Sequence, residues 1–460
     1  MTERAAPSSA SLIRVITDLD LARRALTRRR GFAETALSPR MREGIERVFG
    51  EALTAEQVVE RILADVRASG DAAVRRYSQA FDGSAPETLD VPRESWRAAY
   101  AGLDSELQAA LTLAATQIAA FHEKQVRTSW IDYSADGALG QIVRPLERVG
   151  IYTPGGSAVY PSSLLMTAIP ARVAGVEEIV ICSPPGADGE ISPLILAAAE
   201  VAGVDRVFRI GGAQAIAALA YGTESVPRVD KIYGPGNIFV VLAKRRVYGD
   251  VAIDQLPGPT ETVLVADDSA DPRLVAADLL AQAEHDPMAS AILITTSDSL
   301  GTAVEAELVR QLALLERRQI AGQSLRQNGL IAVVPDIETA IDLANAYAPE
   351  HLCLLLRDPW QAVPLVRHAG GVFVGEASPE ALGDYAAGPS HVMPTGGTAR
   401  FSSPIHVAEF TKVISLIAAN QHAVRRLGPA TIALARAEGL TGHARAIELR
   451  LERDGTGTDA

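Results

Sequence analysis

Seven of the eight histidines fall between residues 285 and 443, and several have neighbours suited to acid–base or metal chemistry. An imidazole titrates at about 6.5 when unperturbed and binds metals as the neutral ring. In Gln282-Ala-Glu-His285-Asp-Pro, Gln282 and His285 are three apart at the end of an expected helix, so both leave one face. The pair is half a metal site, or else a solvated helix end whose dipole His285 complements. Spacing alone favours the second reading, because glutamine is an uncommon zinc ligand. Pro349-Glu350-His351 places an acid beside an imidazole where a strand opens, a suitable acid–base pair or a charged turn. Gly383-Asp384 and Gly388-Pro-Ser-His391 run into Pro394-Thr-Gly-Gly-Thr-Ala-Arg400, a long segment expected to form an ordered binding loop without secondary structure. Glu438-Gly-Leu-Thr-Gly-His443 puts an acid five residues before an imidazole and reads locally as a turn between two helices with a capping glycine. Cys353 follows His351 by two, but His-Leu-Cys-Leu-Leu-Leu reads as a buried strand, where a thiol is an inert small hydrophobe.

Three glycine-containing loops precede these segments: Pro154-Gly155-Gly156-Ser157, Gly211-Gly212-Ala-Gln214 and Gly234-Pro-Gly236-Asn237. Such loops let backbone N–H groups approach an anionic cofactor, or are ordinary tight turns between strand and helix. No GxGxxG fingerprint is present, so the loops alone do not specify a nucleotide.

The elements that must carry these residues alternate. From about residue 147, short apolar runs alternate with helical windows as far as Val247, and a second such series runs from Thr262 to Val374. This is the pattern of parallel sheets covered by helices, hence α/β modules at 151–258 and 259–400 with the boundary at Gly258-Pro259. Residues 1–150 are expected to be mainly helical. Residues 1–12 are expected to be frayed, Thr54 to cap a helix with Gln57 at its third position, and strand to follow at 127–149 around an Asp136-Gly137 turn. Residues 401–460 read as a helical tail.

Composition sets outer limits. The 460 residues hold 48% hydrophobic and 22% charged side chains, ordinary for a globular protein of this length. Two cysteines exclude a disulfide framework or a CxxC zinc site. A formal charge of −13 without a basic run argues against nucleic acid or an anionic membrane as partner. The sequence shows no secretory h-region and no apolar span of membrane length, so a cytoplasmic enzyme is expected.

Taken together, the segments resemble the histidinol dehydrogenase family, zinc- and NAD-dependent enzymes of histidine synthesis. The resemblance rests on Tyr152-Thr-Pro-Gly-Gly-Ser, Gly211-Gly-Ala-Gln-Ala-Ile-Ala, Gly234-Pro-Gly-Asn237, Gln282-Ala-Glu-His-Asp-Pro, Ala348-Pro-Glu-His-Leu, Ala381-Leu-Gly-Asp-Tyr-Ala-Ala-Gly-Pro, Pro394-Thr-Gly-Gly-Thr-Ala-Arg-Phe-Ser-Ser and Glu438-Gly-Leu-Thr-Gly-His-Ala, in that order. It implies two Rossmann-like modules, the first on the NAD side and the second carrying zinc and the catalytic groups. The N-terminal region would pack on the second module, and the tail would be exchanged in a homodimer with shared active sites. Zinc would be held by Gln282, His285, Asp384 and His443, the last from the other subunit. Glu350 and His351 would be the acid–base pair, and Tyr152, Gln214 and Asn237 would contact NAD. Thr260, His391 and Glu438 would join the zinc ligands and His351 around the substrate. Thr260 stands where the family usually has serine, which keeps the hydroxyl and adds a methyl group.

The implied reaction oxidises L-histidinol to L-histidine through L-histidinal, removing four electrons with two NAD. His351 would take the hydroxyl proton in the first step. Glu350 would activate water in the second, giving a hydrate rather than a thioester. A paralogous zinc and NAD dehydrogenase for another small polar alcohol is the alternative, and Glu438, His391 and His443 argue against it. A zinc hydrolase would not need the glycine loops, and a silent binding protein would not need the full set of catalytic groups.

Overall fold

The computed structural model describes residues 11–27, 37–84, 87–155 and 159–455. The Arg28–Arg30 run, most of the expected frayed start, and Gly156 and Ser157 lie outside the described residues. In chain order the strands are β1 (Arg14–Ile16), β2 (Trp130–Ser134), β3 (Gly137–Pro145), β4 (Arg148–Tyr152), β5 (Glu178–Ser183), β6 (Arg206–Arg209), β7 (Lys231–Tyr233), β8 (Ala252–Ile253), β9 (Glu261–Ala266), β10 (Ser290–Thr295), β11 (Leu330–Val333), β12 (His351–Leu355), β13 (Gly371–Val374) and β14 (Thr411–Ala419).

The two α/β series form two parallel sheets of the same design. The first is ordered β6-β5-β4-β7-β8 and the second β1-β11-β10-β9-β12-β13. In each, the chain lays down three strands to one side and then returns to the other side of the first, at β7 or β12. The strand order therefore reverses between β4 and β7, and between β9 and β12, where ligand crevices form in such sheets. Both faces are covered, so the strands are apolar throughout. In β5, Val180 and Cys182 face one core while Ile179 and Ile181 face the other. In β12, Cys353 and Leu355 face one core and Leu352 and Leu354 the other. Both thiols are thus core residues.

The N-terminal region corrects one expectation. Only β1, beside β11, and the helix Leu19–Thr27, against Ile337–Tyr347, join the second sheet. The helix Ala55–Asp82 instead packs its Val58, Val59, Ile62 and Val66 stripe on the first module's helices Gly212–Tyr221 and Ile238–Val247. The alanines of Gly212–Tyr221 leave room for that close approach. The helices Arg93–Ala101 and Ser105–Glu123 cover the opposite face, against Pro193–Ala202 and Pro161–Ala174. Ala55–Asp82 is broken at Gly70 (φ 51°, ψ −132°), where the Glu224 carboxylate accepts the Asp71 N–H at 2.7 Å and restarts the helix.

The tail also departs from expectation. Residues 411–419 are strand, not helix: β14 pairs antiparallel with the whole of β3, and β2 completes this small sheet. Val413, Ile414 and Ile417 are β-branched and favour the strand, and β3 lies far upstream in the chain. Gly137, at φ 115°, makes the expected Asp136-Gly137 turn between β2 and β3. Two helices follow, Gln421–Ala437 and Thr441–Gly455, separated by the expected turn at Glu438 with Gly439 at φ 75°. A helix at Arg318–Asn328 has no counterpart in the sequence reading.

Candidate active site

The amino ends of β9 and β12 lie side by side, with His351 in register with Thr262. Parallel pairing therefore brings Thr260-Glu261 beside Glu350-His351. Ala348, the only non-glycine residue with positive φ (55°) among the described residues, ends the preceding helix and turns the chain into this pair. A left-handed alanine costs roughly 1–2 kcal/mol, so the surrounding packing must hold it.

Glu350 is buried, and its Oε2 accepts from Thr260 Oγ1 at 2.6 Å and Glu261 N at 3.0 Å. Thr260 Oγ1 in turn accepts from Gln282 Nε2 at 2.8 Å. Burial pushes the Glu350 carboxyl up to about 8, aided by the Asp384 charge and opposed by the two hydrogen bonds. His351 Nδ1 lies 3.2 Å from the Glu261 carbonyl, to which its N–H donates. That leaves Nε2 as the basic nitrogen; it is buried without a hydrogen-bond partner, 3.8 Å from Asp384 Oδ1.

Gln282 closes the helix Pro272–Ala283, which returns to the amino end of the sheet, and His285 follows within a turn. Burial lowers the His285 pKa, and the Asp384 carboxylate opposes that shift. Asp384 does not sit on an irregular loop as expected: it lies on a short helix, Glu380–Tyr385, started by Pro379. The Asp384 carbonyl accepts from His391 Nδ1 at 2.7 Å, and His391 Nε2 meets Ser163 Oγ at 2.9 Å. Burial lowers the His391 pKa as well. Ser163 belongs to Pro161–Ala174, the helix after β4, so the first module closes over the second at this point. Gln282, His285, Glu350, His351, Asp384, His391 and Thr260 are thus brought to one region. Glu438 and His443 are not; both are exposed on the two-helix tail.

The other expected residues sit at the carboxyl end of the first sheet. Tyr152 ends β4, and its hydroxyl accepts from Gly212 N at 3.2 Å. Burial pushes that phenol up to about 12. Gln214 is 1% exposed, and its Oε1 has no partner. Gly212 and Gly234 take φ of 64° and 107°, and a Cβ on Gly234 would collide with the Tyr152 carbonyl. Asn237, an exposed residue, caps the helix Ile238–Val247, its Oδ1 accepting from Phe239 N and Val240 N. A fully buried Lys244–Asp254 ion pair pins the loop: Lys244 Nζ donates to Gly234 O, and Asp254 Oδ2 accepts from Gly234 N, each at 2.8 Å.

Sequence reasoning missed Ser163, Glu261 and Glu380. Ser163 lies outside any motif, and Glu261 acts here through its backbone. Glu380 is fully buried near Asp384 and pushed up to about 8 by that burial, a placement only the tertiary structure reveals.

A family model described as histidinol dehydrogenase matches residues 47–451. A histidinol dehydrogenase of Deinococcus radiodurans is 56% identical over 433 residues, 94% of this chain and 98% of that protein. One of Thermus thermophilus is 55% identical over 397 residues, 86% of this chain and 95% of that protein. The crystal structure of histidinol dehydrogenase from Elizabethkingia anophelis superposes with a TM-score of 0.89 at 34% identity, covering 98% of this chain and 100% of that one.

Proposed function

The chain belongs to the histidinol dehydrogenase family, oxidoreductases of histidine biosynthesis, and from that premise we propose how its residues divide the oxidation of L-histidinol to L-histidine. The observation that carries the proposal is the pairing of Glu350, a buried carboxyl raised to about 8, with the unpartnered buried Nε2 of His351. When bound, NAD supplies the hydride acceptor and zinc a positive charge that holds and orients the substrate amine and imidazole.

His351 Nε2 takes the proton of the alcohol as hydride leaves the carbinol carbon. Its Nδ1–H stays on the Glu261 carbonyl, which fixes the basic tautomer. Glu350 then takes a proton from the water that adds to the aldehyde, and the hydrate so formed loses the second hydride. With Oε2 held by Thr260 and Glu261, Oε1 is the oxygen left to face that water. Thr260 borders the substrate and links Gln282 to Glu350 through its hydroxyl. The Cys353 thiol, pushed far above its ordinary value by burial, takes no part.

The zinc ligands proposed are Gln282, His285 and Asp384 with His443 of a second copy. Nitrogen and oxygen donors with open positions suit a catalytic zinc. The Gln282 amide nitrogen is taken by Thr260, which leaves its oxygen for the metal. Among the described residues no group of three His, Cys, Asp or Glu side chains in one chain could hold a metal, so the set relies on Gln282 and a donor from outside. A homodimer supplies that donor together with Glu438. Trp130, Leu139, Val413 and Ile417 stand exposed on one face of the β2-β3-β14 sheet beside the tail, an apolar face suited to a second copy. Tyr152, Gln214 and Asn237 are proposed to hold NAD, and the α/β segments 151–258 and 259–400 to act as domains. Among the described residues no helix is long and apolar enough to cross a membrane, and we place the reaction in the cytoplasm.

The test is purified protein with zinc, NAD and L-histidinol, expected to release two NADH per histidinol. No NADH from histidinol, with turnover of another amino alcohol, would favour a paralogous activity. Verified heterodimers of His443→Ala and Glu350→Gln subunits are expected to recover activity, and no recovery would remove the shared site.

A further inference from the structure

We propose that the Asp82 carboxylate accepts the hydroxyls of the adenosine ribose of NAD and thereby excludes the 2′-phosphate of NADP. The inference rests on reading the carboxyl end of the first sheet as the cofactor face.

Asp82 is the last residue of the helix Ala55–Asp82, followed by Gly83 in the left-handed region. A carboxylate at a helix C-terminus faces the negative end of the dipole, where acids are disfavoured. Its Oδ2 is also buried with no hydrogen-bond partner, an arrangement that costs stability unless something else occupies the site. Nothing in the folding of the helix calls for an acid here.

The place it occupies is specific. A Cβ built on Gly211 would lie 2.6 Å from Pro184 Cβ and 3.5 Å from Asp82 Oδ2, so Pro184 and the carboxylate both stand against the turn after β6. Two further buried, unpartnered oxygens lie at the same end of the sheet: Gln214 Oε1, on the helix that this turn begins, and Thr153 Oγ1, next to Tyr152. Both residues are 1% exposed. Asp82 Oδ2 and Gln214 Oε1, both unclaimed and both against the Gly211-Gly212 turn, mark a position for a ligand that brings hydroxyl or amino donors.

The sheet order says which part of the cofactor this is. A dinucleotide lies across the strand ends at the reversal between β4 and β7. Its reacting half must lie toward His351 and Asp384, which the first module meets through Ser163. The adenosine half then falls on the β5–β6 side, where Asp82 stands. In such folds an acid near the tip of the second strand usually takes the ribose diol. Here β5 runs into Ser183-Pro184-Pro185-Gly186, and the next acid, Asp188, is used in its own turn by Glu190 N at 3.1 Å. Asp82 fills that role from a different element. The nearby cation Arg209 is paired with Glu190 at 3.4 Å.

The test measures kcat and KM for NAD and for NADP in Asp82→Asn, with Gln214→Ala and Tyr152→Phe in parallel. The expected result is a KM for NAD raised about tenfold, an effect on KM that exceeds any on kcat, and a preference for NAD over NADP reduced at least about tenfold. An unchanged preference would overturn the inference. If Gln214→Ala and Tyr152→Phe raise the KM for NAD and Asp82→Asn does not, the cofactor face stands and Asp82 has no part in it. If none of the three changes it, the cofactor-face reading itself fails. Thermal melts separate a structural role: removing an unpartnered buried charge should hold or raise the melting temperature, and a marked loss in both Asp82→Asn and Asp82→Ser would assign Asp82 to folding.

Discussion

The two sheets have the same core strand order and are used from opposite ends. At the carboxyl end of the first, the working parts are mostly backbone: glycine turns, a helix started by Asn237, and a loop pinned by Lys244 and Asp254. At the amino end of the second, they are mostly side chains: Glu350, His351, Asp384, His285, Gln282 and Thr260. Ser163 and His391 join the two ends. On the proposed reading the first end would hold a large anionic cofactor with glycine turns and a few polar side chains, whereas a particular proton transfer needs particular titratable groups. Duplicated architecture therefore does not imply duplicated function, because each crevice is defined by which end of its sheet faces the other.

Breaking each end should give a different signature. The largest effect is expected at the side-chain end. Glu350→Gln should lower the rate of the aldehyde step by about 10²–10⁴, and His351→Asn that of the alcohol step by a similar factor, each leaving NAD binding intact. Single-turnover NADH traces starting from histidinol and from histidinal would show this, and equal loss in both steps for both variants would undo the division of labour. With Glu350 at about 8 and acting as a base, the aldehyde step should rise roughly tenfold per pH unit below that value and level off above it.

At the backbone end the loss should be in stability first. Lys244→Met leaves Asp254 buried without its cation and should cost about 3–5 kcal/mol in urea unfolding. A smaller cost would mean that Asp254 is held by the Gly234 and Gln255 N–H groups without the cation.

A subtler effect separates the ends by pH. Glu350 and Glu380 are both raised to about 8, above the ordinary glutamate value of 4.5. Each binds its proton more tightly folded than unfolded, so stability should fall as pH rises from about 4.5 to 8, by at most about 1.4 kcal/mol per pH unit for each group. Melts of zinc-free protein would show the slope, and Glu380→Gln should flatten it; an unchanged slope would mean Glu380 is ionised throughout. The smallest effect is expected for Cys353→Ala, a core change that should leave both oxidation steps within about threefold of the parent. Loss of the aldehyde step alone would restore the thiol to the mechanism.

How much of this was legible depended on how local the signal was. The two α/β series were readable because strands buried on both faces are uniformly apolar, as in Glu178–Ser183 and His351–Leu355. Glu350 and His351 were readable because they adjoin each other in sequence at the start of a strand. The strand Thr411–Ala419 was misread as helix: its partner lies far upstream and its residues are largely exposed, so no alternation of buried and solvent-facing positions marks it. The docking of Ala55–Asp82 was misassigned because its stripe fits any apolar surface, and only the alanine-rich partner helix decides which. Ser163 and Glu261 gave no local signal, since each joins the site through a contact across the fold.

The pairing of β14 with β3 also bears on how the chain comes to be folded. Hairpin β2–β3 can form as soon as it is made, but the strand that covers its other edge is made much later, after both parallel sheets. Until then β3 presents an unpaired edge, with Trp130, Tyr133 and Leu139 exposed on the hairpin, the kind of surface that adheres to other chains. Closing so distant a contact is slow, because the loop entropy is lost before the pairing is gained. Until the step that completes this small sheet, the nascent chain therefore carries an apolar strand edge open to aggregation.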